Sequence, residues 1–175
     1  MHTVRKATQD DAPALSALLA ECAIGHPASG RTPDSAWVRD SMFGDPSICR
    51  VLVAEKLGQP IGFAVWRPTY DYLFGARGAE VVWLFVLEGH RGLGVGALLL
   101  TRLCADILSD GATFLWGEYG RPIVGKFYER LAAGTPKTSV GLPTEDVEFL
   151  ARLAGDTPKS IVRALRERRA SQRSA

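Results

Sequence analysis

One segment in the middle of the chain, residues 81–99, constrains the fold more than any other. It begins with an apolar run that ends at Val86, continues with a loop that contains Gly92, Gly94 and Gly96, and ends in an apolar stretch of helical period. A short apolar run is typical of a buried strand, and glycines before an apolar periodic stretch are typical of a loop that opens a helix. The sequence therefore predicts a strand, a tight loop and a helix in immediate succession.

This strand–loop–helix arrangement builds a site for an anion. The first N–H groups of a helix have no acceptor within the helix, and the helix dipole places partial positive charge at the same end. Arg91 adds a full positive charge. The glycines let a ligand approach the backbone without a Cβ in the way. A phosphate or pyrophosphate group is the expected ligand.

Two cofactor classes fit this loop. Gly92, Gly94 and Ala97 match the dinucleotide pattern G-x-G-x-x-G/A, whereas Arg91, Gly94 and Gly96 match the coenzyme A pattern R-x-x-G-x-G. A dinucleotide loop follows its strand at once and opens a parallel βαβ unit. Here residues 87–91 separate the strand from Gly92, and the upstream elements resemble antiparallel strands. The context favours coenzyme A, with the dinucleotide site and a turn without a ligand as alternatives.

The hydrophobic pattern of the whole chain predicts an α+β fold with a central mixed, mostly antiparallel sheet flanked by helices. We expect strands at residues 4–7, 49–56, 61–66, 80–86, 113–116 and 135–141. We expect helices at residues 11–22, 35–43, 122–131 and 144–153, from the glycine loop to 108, and from 157 onward. Residues 67–78 are expected to form a long loop. We assign residues 1–157 to the main domain and 158–175 to a basic C-terminal helix or tail.

Composition limits the classes of protein that the chain can belong to. With 175 residues it fits one domain, and no apolar run approaches the roughly 20 residues of a membrane helix. The N-terminus lacks the apolar stretch of a signal peptide, and the three cysteines are far apart, so we expect a cytoplasmic protein with reduced cysteines. No Cys/His cluster has zinc spacing, and no metal is expected. The residues from Lys159 onward carry a net charge of +5; a solvated helix end is favoured over nucleic-acid binding.

The segment from Val86 through Arg91 to Gly96 resembles the acyl-CoA loop of the GNAT N-acetyltransferase superfamily, and the order of elements is similar to the GNAT fold from Val4 to about Gly141. Residues 60–64, Pro-Ile-Gly-Phe-Ala, and the Tyr-rich segment after them are similar to diamine and polyamine acetyltransferases. Residues 126–131, Lys-Phe-Tyr-Glu-Arg-Leu, look like the F-Y-x-x-L segment of the superfamily. The resemblance implies a GNAT-like acyl-CoA N-acyltransferase fold and transfer of an acetyl group from acetyl-CoA to a primary amine of a small molecule.

The resemblance also implies roles for individual residues. The backbone of Phe85 and Val86 would hold the pantetheine arm, and Tyr128 would protonate the leaving thiolate. The phenol has an ordinary pKa of about 10, so at neutral pH it carries a proton that it can donate. The residues expected to bind the pyrophosphate are Arg91, Gly92, Leu93, Gly94, Val95 and Gly96.

The general base is where the sequence departs from the polyamine acetyltransferases. They carry an acidic pair in the strand before the loop, and here those positions are Val82 and Trp83. The nearest carboxylate is Glu80, two residues earlier and on the same face as Val82 in a regular strand. Glu118 after the next strand is the second candidate. We favour Glu80 as the catalytic base, acting through water.

Other features leave alternatives open. Arg121 stands where the family often has asparagine, and could meet a phosphate of coenzyme A. Trp83 and Trp116 could wall an acceptor pocket or could be ordinary core residues. The alternative functions are a protein or peptide N-acetyltransferase, a non-catalytic acyl-CoA-binding regulatory module and, disfavoured by topology, a dinucleotide-dependent oxidoreductase. The resemblance also implies a homodimer; no membrane partner is expected, and nucleic-acid binding is disfavoured.

Overall fold

The architecture is a central sheet with helices on both faces. The computed structural model describes residues 1–24, 33–118, 127, 139–142 and 144–173. The elements in these residues are β1 (His2–Lys6), α1 (Ala12–Ala23), α2 (Ser35–Phe43), β2 (Arg50–Lys56), β3 (Gln59–Asp71), β4 (Ala76–Val86), α3 (Val95–Ser109), β5 (Phe114–Glu118), β6 (Ser139–Leu142), α4 (Thr144–Arg152) and α5 (Pro158–Arg173). Short 3₁₀ turns at Gln9–Asp11 and Glu88–His90 precede α1 and the glycine loop.

The strands form one six-stranded sheet whose order in space is the order along the chain. Strands β1 to β4 pair antiparallel, β4 and β5 pair parallel, and β5 and β6 pair antiparallel. A parallel pair needs a crossover connection, and α3 lies in the connection between β4 and β5. The predicted α+β fold with a mixed, mostly antiparallel sheet is therefore confirmed.

Each face of the sheet has its own apolar core, because successive residues of a strand point to opposite faces. On the first face, which we call the α3 face, the strand residues packed with α3 include Leu52, Ala64, Trp66, Ala79, Val81 and Leu115. On the second face, which we call the α1 face, Val51, Val53, Phe63 and Val65 pack with residues of α1 and α2. A side chain in β4 can thus be assigned to the α3 face or the α1 face from the core to which the adjacent residues of the strand belong.

The two C-terminal helices pack against α3. Val147 and Leu150 of α4 and Ile161 and Leu165 of α5 are buried in the same core as α3. The predicted boundary after residue 157 coincides with the start of α5 at Pro158, and the division into a domain and a tail stays a prediction. None of the helices in the described part of the chain is long and apolar enough to cross a membrane.

The prediction of a long loop at residues 67–78 is wrong, because most of this segment extends the β3–β4 hairpin. Residues 67–71 of β3 pair in register with residues 76–80 of β4. The carboxylate of Asp71 accepts hydrogen bonds from the backbone N–H groups of Leu73 and Phe74 at 2.9 and 3.1 Å. Gly75 adopts a φ of 65°. The aspartate-supported turn and this glycine reverse the chain within four residues, so the strands continue almost to the turn.

Two predicted elements near the C-terminal half are only partly described. The predicted helix at residues 122–131 lies outside the described residues except for Phe127, which is helical. The predicted strand at residues 135–141 corresponds to β6 at Ser139–Leu142.

Of the three cysteines, Cys104 is fully buried in α3, and its burial raises the pKa of the thiol well above its usual range. This thiol stays protonated and acts as a packing group.

Candidate active site

A β-bulge interrupts β4 in the middle of the sheet. Val65 pairs with Trp83 and the next residue, Trp66, pairs with Val81, so Val82 is an extra residue on β4. The parallel pairing with β5 covers only residues 78–81 of β4 and 114–117 of β5. Bulges bend a strand and often end its pairing. In the part of the chain that the structure describes, β4 therefore continues past Val82 with β3 as its only partner, and we call the space along its other edge, beside β5, the cleft.

The backbone at the end of this open edge points into the cleft. The N–H of Leu87 donates a hydrogen bond to the carbonyl of Ile61 in β3 at 2.9 Å. In a trans peptide the C=O points opposite to the N–H, so the carbonyl of Val86 points away from β3. An extended ligand with amide groups could pair with β4 here as an additional strand would. This is the stretch, Phe85 and Val86, that is expected to hold pantetheine.

The side chain of Arg91 folds back onto the end of β4. Its Nε donates a hydrogen bond to the carbonyl oxygen of Val86 at 2.8 Å. The guanidinium carbon lies 5.6 Å from the centre of the Phe85 ring, which is within cation–π range. Arg91 thus ties the loop to the strand, and its positive charge lies at the mouth of the cleft.

The glycine loop leads directly into an uncapped helix terminus. Gly94, with a φ of 82°, is the N-cap of α3, and among the described residues no side chain caps the first turn. The first hydrogen bond of the helix runs from the N–H of Leu98 to the carbonyl of Gly94 at 3.0 Å. The N–H groups of Val95, Gly96 and Ala97 consequently have no acceptor within the helix. Together with the helix dipole they are suited to an anion, and the anion site at this terminus stays a prediction.

Each glycine of the loop is required for a different structural reason. A Cβ at Gly94 would lie 2.7 Å from the Cβ of Pro158, so this glycine also lets α5 approach the loop. A Cβ at Gly96 would lie 3.4 Å from the Phe127 ring and 3.7 Å from the Leu84 side chain. Gly92 has a φ of 74° and open space around it, so only its backbone conformation and ligand access require a glycine. Sequence reasoning assigned all three to ligand approach and missed the contact with Pro158.

Glu80 lies beside the bulge, on the α1 face. Its neighbours Ala79 and Val81 belong to the α3 core, so Glu80 points the other way. Oε2 of Glu80 accepts a hydrogen bond from Nε of Arg67 at 2.6 Å, and the Glu80 side chain is 20% exposed. This hydrogen bond raises the pKa of Arg67. Sequence reasoning missed Arg67 because it lay in the predicted loop, where no register with Glu80 could be assigned.

The structure brings some of the predicted site residues together and leaves others aside. Glu80, Val82 and Trp83 adjoin the bulge, and Phe85, Val86 and the glycine loop follow them along β4. Tyr128 and Arg121 lie outside the described residues. Glu118 is the last residue of β5, two positions after Trp116. Among the described residues, no group of three or more His, Cys, Asp or Glu side chains is placed to hold a metal ion.

Comparison with protein families identifies the class to which this fold and site belong. The sequence model of the acetyltransferase (GNAT) family matches residues 12–133. The chain belongs to this family, and it is an acetyl-CoA-dependent acetyltransferase. A comparison with curated proteins gives no significant sequence match.

Solved structures of acetyltransferases share the fold. A ribosomal-protein-alanine N-acetyltransferase from Brucella melitensis biovar Abortus 2308 is 24% identical, with a TM-score of 0.66 over 79% of this chain and 95% of that one. The aminoglycoside acetyltransferase HMB0005 from an uncultured soil metagenomic sample is 16% identical, with a TM-score of 0.65 over 78% and 94%. The yncA protein of Salmonella typhimurium, solved with its cofactor acetyl-CoA, is 22% identical, with a TM-score of 0.61 over 82% and 94%.

Proposed function

We propose that the chain acetylates a primary amine of a small molecule at the cleft beside Val82. The observation that carries this proposal is the open edge of β4, which leads through a 3₁₀ turn and the glycine loop into an uncapped helix terminus. Glu80, held near the middle of the sheet rather than at its rim, suits a narrow acceptor that can enter the cleft. The aminoglycoside acetyltransferases among the structural neighbours act on small molecules, which supports the same acceptor class.

Acetyl-CoA supplies the acetyl group as a thioester, and the residues of the site fit its two recognition needs. The backbone of Val86, next to Phe85 in β4, offers hydrogen-bonding groups to the amides of the pantetheine arm. Arg91, Gly92, Leu93, Gly94, Val95 and Gly96 offer positive charge and backbone N–H groups to the pyrophosphate. A ligand that pairs with the carbonyl of Val86 would share or replace the hydrogen bond from Arg91.

Two proton transfers complete the reaction. Glu80 takes a proton from the attacking amine, directly or through water, so that the nitrogen has a free electron pair for the carbonyl carbon. The bond between that carbon and sulfur then breaks, and Tyr128 gives its proton to the leaving thiolate. Since Glu80 is on the α1 face and α3 on the other, acceptor and cofactor would reach the cleft from opposite faces.

A protein or peptide amine is the second candidate acceptor. The ribosomal-protein-alanine N-acetyltransferase among the structural neighbours favours it. The expected homodimer and the cytoplasmic location stay predictions.

The experiment is to incubate the purified protein with acetyl-CoA and single acceptors, and to measure release of the free thiol. The panel contains small primary amines and a short peptide with an N-terminal alanine. We expect thiol release with small amines and none above background with the peptide. Turnover of the peptide alone would replace the small-molecule proposal with the second candidate.

A further inference from the structure

The bulge places a carboxylate and an indole on the same face of β4. In a regular strand, residues three positions apart point to opposite faces. Because Val82 is inserted, Trp83 pairs with Val65 of the α1 core and therefore points to the same face as Glu80. The indole of Trp83 is 37% exposed.

A second indole approaches Glu80 from the neighbouring strand. Trp116 of β5 is the register partner of Glu80, so the two residues share a face, with Cα atoms about 4.8 Å apart as in any sheet. The side chain of Trp116 is half-buried. Glu80 thus has one indole directly beside it and a second within about 10 Å along its own strand.

The carboxylate between these indoles is fixed and still accessible. Arg67 holds Oε2 of Glu80 at 2.6 Å. Within the described residues, Oε1 has no hydrogen-bond partner. The site therefore offers a carboxylate oxygen on the same face of the sheet as two partly exposed indoles, with uncharged Val82 and Trp83 where further carboxylates would serve a polyamine.

We propose that the acceptor is a primary amine that carries an aromatic ring. This inference rests on the proposed function and specifies its substrate class. The amine lies at Oε1 of Glu80, and the ring packs against Trp83 and Trp116. Aromatic rings prefer to stack or meet edge to face, and this geometry adds affinity beyond the apolar area that it buries. A polyhydroxylated amine such as an aminoglycoside would have to place its hydroxyl groups against the apolar indoles, which is less favourable than packing an aromatic ring there.

The test compares two amines of the same carbon skeleton, 2-phenylethylamine and 2-cyclohexylethylamine. Both are apolar primary amines, and only the first has a flat aromatic ring. We expect kcat/KM for 2-phenylethylamine to be about 2- to 10-fold higher, which is the range that aromatic pairing supplies. The readout is release of coenzyme A thiol at saturating acetyl-CoA.

The variants Trp83→Leu and Trp116→Leu should each lower kcat/KM more for 2-phenylethylamine than for 2-cyclohexylethylamine, so that the preference falls toward unity. Trp37→Leu is the matched control, because Trp37 is also an exposed indole, at 47%, but lies on α2. If Trp116→Leu fails to fold, Trp83→Leu carries the comparison.

The outcomes separate this inference from the function on which it rests. Equal kcat/KM for the two amines, or a preference that survives both tryptophan substitutions, would overturn the aromatic acceptor and leave the acetyltransferase assignment intact. Turnover of an aminoglycoside alone would do the same, whereas turnover of the alanine peptide alone would overturn the inference together with the small-molecule proposal. Binding of acetyl-CoA without transfer to any amine would overturn the inference and the proposed function together.

Discussion

At the scale of single residues, the proposed chemistry depends on Glu80. Its carboxylate is oriented by Arg67 at 2.6 Å and lies two positions before the bulge. We expect Glu80→Gln to lower kcat/KM about 10²- to 10⁴-fold, because the amide cannot accept the proton of the amine. The acidic limb of the pH profile of kcat/KM should disappear in the same variant. Steady-state kinetics across the pH range is the measurement.

The matched comparison for this prediction is Glu118→Gln, which removes the second candidate base. We expect it to leave the profile unchanged. If Glu80→Gln keeps full activity at every pH and Glu118→Gln does not, the base is Glu118. If both variants keep full activity at every pH, the nucleophile is amine that is already neutral in solution. In that case kcat/KM should rise with pH until all of the amine is neutral.

Tyr128 is the second residue whose role can be separated from binding. As the proposed acid that protonates the leaving thiolate, it should matter for kcat and little for the affinity of acetyl-CoA. We expect Tyr128→Phe to lower kcat by about 10²-fold or more, with the Kd of acetyl-CoA nearly unchanged. A normal kcat in this variant would make Tyr128 a packing residue.

At the scale of elements, the loop before α3 combines two properties that one substitution can separate. Leu93 immediately precedes the N-cap Gly94 and is 52% exposed. A carboxylate here interacts favourably with the helix dipole but repels the phosphates of coenzyme A. We expect Leu93→Asp to raise the Kd of acetyl-CoA about fivefold at low salt without lowering the Tm. Leu93→Asn is the uncharged control, and equal Kd values for the two variants would contradict an anion site at this terminus.

The contact between Gly94 and Pro158 gives a second prediction at this scale. An alanine in place of Gly92 has open space for its Cβ, and only the positive φ strains the backbone. We expect this strain to lower the free energy of unfolding by about 1 to 2 kcal/mol. Alanine at Gly94 meets the same strain and must also displace Pro158. Chemical denaturation should therefore show a larger loss for Gly94→Ala than for Gly92→Ala. Equal losses would mean that α5 shifts away from the loop without cost.

At the scale of the whole molecule, Arg5 joins three elements at the start of the fold. It lies in β1, its Nη atoms donate hydrogen bonds to both carboxylate oxygens of Asp11 at 2.8 and 2.6 Å, and its Nε donates to Glu55 of β2 at 3.0 Å. Asp11 also accepts a hydrogen bond from the N–H of Thr8 at 2.7 Å. The hydrogen bonds from Arg5 are the main cause that lowers the pKa of Asp11 to about 2.

This lowered pKa makes a prediction about stability and pH. The carboxylate of Asp11 stabilises the fold above the ordinary pKa of 3.8, and this contribution is lost as pH falls from there to about 2. We expect Asp11→Asn to lower the free energy of unfolding by about 2 kcal/mol at neutral pH. The difference from the natural chain should shrink below pH 3.8 in denaturation experiments. Asp10→Asn, at an exposed neighbouring position, should show no such trend.

Local sequence determined much of this protein. The buried strand, the glycine loop and α3 follow from one apolar run, three glycines and one helical period, and α2 is found at its predicted bounds, Ser35–Phe43, with Asp34 capping it at 2.8 Å. Only the tertiary structure decided the bulge at Val82, the pairing of Arg67 with Glu80, and the contact of Gly94 with Pro158. Helix propensity, capping and turn chemistry act between near neighbours, and a single sequence displays them. The register of a sheet and the seating of a helix are set by packing between residues far apart in the chain, so they arise only when the whole chain folds.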